Sequence, residues 1–119
     1  MRIDPARFLR RAFAVLLLTA SCSDGASCPN DLPPSCPADA PGYKATIAPI
    51  IAARCGTCHT PAGAAPDKPF DTWAEVSQQR VGVLHQIYSC NMPPTEATQL
   101  TDAERAEILA WLVCGAPDD

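Results

Sequence analysis

Two cysteines stand two residues apart, and a histidine follows the second: Cys55-Gly56-Thr57-Cys58-His59 packs two thiols and an imidazole into one short stretch. Three chemistries use such a set. A redox dithiol sits at a helix N-terminus after a strand, where the helix dipole lowers the thiol pKa. Here the preceding TIAPIIAAR reads as helix, and no βαβ pattern surrounds it. Structural zinc needs four ligands, usually with a second close pair; Cys90 and Cys114 are far apart and isolated. The third chemistry is covalent haem attachment. Two thiols at a short fixed spacing can form thioethers to the two vinyl groups of a haem, and the next histidine is then held under the iron. This reading fits the context best.

An iron held only by His59 would keep an open face. Met1, Met92 and His85 are the candidates for it. Met1 leaves with the leader described below. Met92 is a neutral, soft thioether donor of the kind that raises a haem potential. It precedes Pro93 and Pro94, which fix φ and stiffen the loop. His85 lies on a predicted helix seven residues earlier and reads as a partly exposed helix residue.

Three helices must position these groups. In the first, Tyr43, Ile47, Ile50, Ile51 and Arg54 fall on one stripe. Pro49 is tolerated in a first turn, so with Thr46 as N-cap the helix is expected at about 47–55, running into the motif. The second segment opens on the capping box Thr72 and Glu75, with a break near Gln79 and a weakening Gly82. The third opens on Thr101 and Glu104, carries Ile108, Leu109, Trp111 and Leu112 on one side and closes at Gly115. Glu104 and Arg105 are expected near its polar face. No strand pair is evident, so the domain reads as all-α.

With its CxxCH after a helix, Met92-Pro93-Pro94 after a middle helix and a final amphipathic helix, the segment 43–119 resembles the small class I c-type cytochromes. The resemblance implies a cytochrome c-like bundle of short helices around one haem c, with the first and last helices crossing. It implies thioethers at Cys55 and Cys58 and axial ligation by His59 and Met92. It also implies a proline carbonyl accepting the other N–H of His59, for which Pro66 and Pro69 are candidates. Trp73 is a candidate propionate donor or a core residue; Trp111 reads as helix packing.

The chain opens MRIDPARFLRRAFAVLLLTASC. Four arginines precede an uncharged run, Ala12 to Ala20, that is too short for the ~20 residues of a membrane span. It resembles a bacterial lipoprotein signal, with 1–21 removed and Cys22 lipidated; the alternative is an ordinary cleaved signal with Cys22 a plain thiol. Residues 22–42 are Pro-rich and read as a linker holding the 43–119 domain off a membrane. Of the seven cysteines, four remain once Cys22, Cys55 and Cys58 have tasks. In an oxidising compartment Cys28, Cys36, Cys90 and Cys114 are expected to pair. Three connectivities exist, and locality favours Cys28–Cys36 with Cys90–Cys114. A bridge from Cys90 to Cys114 would pin the methionine loop to the last helix.

After the leader, five basic side chains face twelve acidic ones, a formal charge of −7. That argues against nucleic-acid binding and against electrostatic adhesion to an anionic membrane. The expected protein is therefore a monomeric, lipid-anchored electron carrier on the periplasmic face, not an enzyme, working with a redox partner protein. The alternatives are a haem sensor or peroxidase-like protein in which Met92 is displaced, and an interaction domain with haem as a structural core.

Overall fold

The computed structural model describes residues 27–119. The leader 1–21 and Cys22 lie outside the described residues. The regular elements from Tyr43 onward are all helical, with no strand among the described residues. No described helix is long and apolar enough to cross a membrane.

A π-helical turn, Tyr43–Ile47, leads directly into α1, Ala48–Arg54. Both the Thr46 and Ile47 N–H groups donate to the Gly42 carbonyl. Thr46 is therefore inside a turn and is not the N-cap. The residue before α1, Ile47, is already helical and makes no side-chain cap, and Pro49 falls in the first turn of α1. The chain enters α1 with its backbone donors already engaged, so no hydroxyl is required there.

α2, Trp73–Gln78, and α3, Arg80–Tyr88, are separated by the non-helical Gln79. The Thr72–Glu75 capping box opens α2, and the Thr101–Glu104 box opens α4, Asp102–Val113. In each box the hydroxyl accepts from the N3 backbone and the N3 carboxylate accepts in return, so two otherwise unpaired donors are satisfied. After Cys114, Gly115 takes φ +93°, a left-handed conformation that glycine adopts without a Cβ penalty.

The core lies where the first turn, α1 and α4 meet. Ile47, Ile51, Val76, Ile108, Leu109, Trp111 and Leu112 are buried there. The Tyr43 and Trp111 rings stand 5.6 Å apart. Arg54 at the end of α1 pairs with Glu104 at the start of α4, with two donors from the guanidinium reaching the carboxylate at 2.9–3.2 Å. The Arg54 bond holds the Glu104 carboxyl below its ordinary value, and the Thr101 N–H bond adds to this.

Residues 27–42 differ from a free spacer. Leu32 packs on the core, and Asp31 makes an ion pair with Arg105. Arg105 is thus buried, not on a polar face, because an acidic partner far away in sequence covers it. The cysteines also differ from the local pairing. Cys28 is bonded to Cys90 and Cys36 to Cys114, with Cα atoms 5.8 and 4.6 Å apart. This strap, residues 27–42, is held on the domain by Leu32, Asp31 and its two cysteines, and docking it brings each of its thiols beside a distant cysteine instead of its neighbour.

Candidate haem site

α1 delivers the motif. The N–H groups of Cys55 and Gly56 both donate to the Ile51 carbonyl, ending the helix, and those of Cys58 and His59 donate to the Cys55 carbonyl, closing a further turn. Gly56 is needed because a Cβ there would come within 2.8 Å of the Ala52 carbonyl oxygen. A Cβ at Gly63 would run into the Cys58 carbonyl, against which the following loop folds back. Cys55 and Cys58 are both unpaired.

Cys55 sits at the C-terminal end of a helix, where the dipole disfavours a thiolate. Burial pushes its thiol up to about 11, with Cys58 beside it adding to the shift. A nucleophilic dithiol needs the opposite perturbation, so the redox-dithiol chemistry does not fit. Nor does a zinc site fit, since Cys90 and Cys114 are each bonded to another cysteine.

His59 is fixed from two sides. Its ring stacks on Phe70 with centroids 4.1 Å apart and planes 10° from parallel. Its Nδ1 lies 2.8 Å from the Lys68 carbonyl. A carbonyl only accepts, so Nδ1 carries a proton, and in the neutral ring Nε2 is the atom left to bind a metal. The acceptor is thus Lys68 and neither Pro66 nor Pro69: the hydrogen bond uses the carbonyl between those two rings.

Met92 follows α3. The N–H groups of Asn91 and Met92 both donate to the Gln86 carbonyl, at 2.9 and 3.1 Å, which turns the chain back across the end of the helix. The Met92 side chain is 41% exposed. Cys55, Cys58, His59 and Met92 line one cavity of about 580 Å³, within the ~300–1,000 Å³ usual for cofactor sites. Phe70, Val83, Ile87 and Leu100 supply apolar wall. A flat apolar macrocycle with two vinyl groups and a metal matches this set: two free thiols on one edge, an oriented imidazole, a thioether and a hydrocarbon lining.

Trp73 does not take part. Its indole N–H donates to the Ala116 carbonyl at 2.9 Å, and its ring packs on the core. It ties α2 to the C-terminal segment instead of meeting a propionate. His85 is exposed on α3 and is not part of the cavity lining. Sequence reasoning missed Arg54, Lys68, Gln79 and Gln86, which line the cavity. Lys68 is an exposed cation able to meet a carboxylate. The signal for it was present, a lysine nine residues after the histidine, but only the fold of the loop shows that it returns to the site.

Neither a curated protein nor a solved structure matches the chain. A family does: residues 44–112, more than half of the chain, match the one described as cytochrome C oxidase, cbb3-type, subunit III. That span takes in α1, the CxxCH turn, the methionine loop and nearly all of α4. The chain belongs to this family, and with it the all-α domain is a c-type cytochrome, a haem-based electron carrier whose cofactor is covalently attached haem c.

Proposed function

We propose that the protein is exported, tethered through Cys22 to a membrane on its periplasmic face, and moves single electrons through one haem joined to Cys55 and Cys58. His59 and Met92 would hold its iron. The observation that carries this reading is that these four side chains line one cavity, although Met92 lies beyond two further helices. When bound, the haem supplies a one-electron ferric/ferrous couple.

The chain's own residues do the rest. The Lys68 carbonyl and the Phe70 ring hold the His59 imidazole in one tautomer and one orientation. Met92 offers a neutral sulfur, which favours a high potential. With His59 and Met92 both holding the iron, no place on it would be left for a substrate. The apolar wall keeps water from rearranging around the changing charge. The acidic balance of the mature chain suits a redox partner with a basic docking face.

Optical spectra of the exported protein test the reading. Ferrous protein should show c-type bands that survive acid acetone, and ferric protein should show the weak far-red sulfur–iron band. Mixing ferrous protein with a high-potential oxidant should give fast, reversible oxidation. Met92→Ala should abolish the far-red band and leave the covalent attachment intact.

A competing reading, displacement of Met92 by a gas or peroxide, draws on a second cavity that Met92 also borders. Against it, His59 and His85 are the two histidines of the chain, and His85 is away from the cavity, so neither serves as a distal acid–base group. Rapid carbon monoxide binding to the ferrous form at neutral pH would favour displacement.

A further inference from the structure

We infer that Arg105, Asp31 and the Cys28–Cys90 disulfide form a positioning clamp for Met92, which makes the N-terminal strap a working part of the haem site. The inference rests on the proposed ligation by Met92. Met92 lies on the cavity wall, 41% exposed, so contacts of its own side chain with the protein place it only in part. Its position comes from the backbone: the Gln86 carbonyl holds the Asn91 and Met92 N–H groups, and Cys90 turns the chain there with φ +57°. A non-glycine residue in that conformation persists only where its surroundings hold it.

Two devices hold it. Cys90 is bonded to Cys28 of the strap. Arg105, 9% exposed, donates to the Ile87 carbonyl at 2.6 Å and the Tyr88 carbonyl at 3.2 Å, both in the last turn of α3. The other edge of the same guanidinium grips Asp31 of the strap at 2.7 and 2.9 Å. One buried cation thus joins α4, the end of α3 and the strap. Behind the methionine loop lies a second cavity lined by Cys28, Cys90, Met92 and Arg105. Met92 borders both cavities, so its loop is a thin wall whose outer support is the strap. A ligand on a tethered loop binds through its effective concentration at the metal, which falls as the loop gains freedom.

The test uses the full haem-loaded protein and three variants: Arg105→Met, the pair Cys28→Ser with Cys90→Ser, and the pair Cys36→Ser with Cys114→Ser. The last is the control, because it removes a cross-link of similar span, 78 residues against 62, away from Met92. All should keep covalent haem. Arg105→Met and the Cys28/Cys90 pair should lose at least half of the ferric far-red band. They should also bind added imidazole tenfold or more tightly in the ferric form, because the displaced ligand competes less well. The control pair should match the unmodified protein in both. Equal changes in both pairs, or none in either, overturn the clamp. Asp31→Asn replaces Arg105→Met if that variant does not accumulate. An unmodified protein without the far-red band overturns the ligation reading and the clamp together; a band present but insensitive to these changes overturns the clamp alone.

Discussion

Gly82 is a helix residue whose added Cβ would meet no atom within 4 Å, and it lines the haem cavity. In an ordinary exposed helix interior, glycine to alanine adds up to ~1 kcal/mol of stability. Here the free space belongs to the cofactor's side of the helix. Gly82→Ala should therefore lower the unfolding midpoint of the haem-loaded protein, or its haem content, instead of raising it. A gain in the denaturant midpoint would show that the backbone of α3 is not approached. Asp31 gives a second prediction at this scale. The Arg105 hydrogen bond holds its carboxyl below the ordinary 3.8, against the opposing effect of burial, and Glu104 is likewise held below 4.5. A lowered folded-state pKa contributes stability that is whole above the ordinary value and is lost as pH falls through the lowered one. Asp31→Asn should be less stable than the unmodified protein at pH 6. The gap should narrow as the pH falls below 3.8, as unfolding midpoints across that range will report.

Helix ends were the most readable elements. Both capping boxes form because their partners lie three residues apart and need no tertiary help. Thr101→Ala should cost about 1 kcal/mol in urea unfolding, the usual worth of such a cap. The break at Gln79 was also visible in sequence, whereas the π-helical entry at Tyr43–Ile47 was not: it goes with Tyr43 packing on Trp111, a contact 68 positions apart that no local pattern records. The same distance hid the burial of Arg105, since its partner Asp31 sits in a stretch whose prolines read as a spacer. Within the proposed site, Cys55, Cys58 and His59 were singled out by their spacing together with the helical context before them. The Lys68 carbonyl and the commitment of the Trp73 N–H to Ala116 depended on loop conformation and stayed invisible.

At the scale of the molecule, a small haem domain is lined by residues 27–42 and stapled to them twice. The loops closed span 62 and 78 residues. The chain-entropy view gives each on the order of 4 kcal/mol, and removing a native disulfide from a small exported domain costs about 2–5 kcal/mol. Reduction should therefore lower the melting temperature of the haem-loaded protein well beyond any single cap deletion. A domain the size of 43–119 seldom gains more than ~3–5 kcal/mol from its core alone, so cross-links and cofactor together should account for much of its resistance to unfolding.

The two staples interleave, since Cys36 falls inside the loop closed by Cys28 and Cys90 while its partner Cys114 falls outside. A polypeptide emerging N-terminus first presents Cys28 and Cys36 to an oxidant long before their mates exist, and next presents the two thiols reserved for the porphyrin. Maturation must undo early mistakes by thiol exchange while sparing that reserved pair. In a host without a disulfide isomerase, peptide mapping should find Cys28 joined to Cys36 and most of the product without pigment.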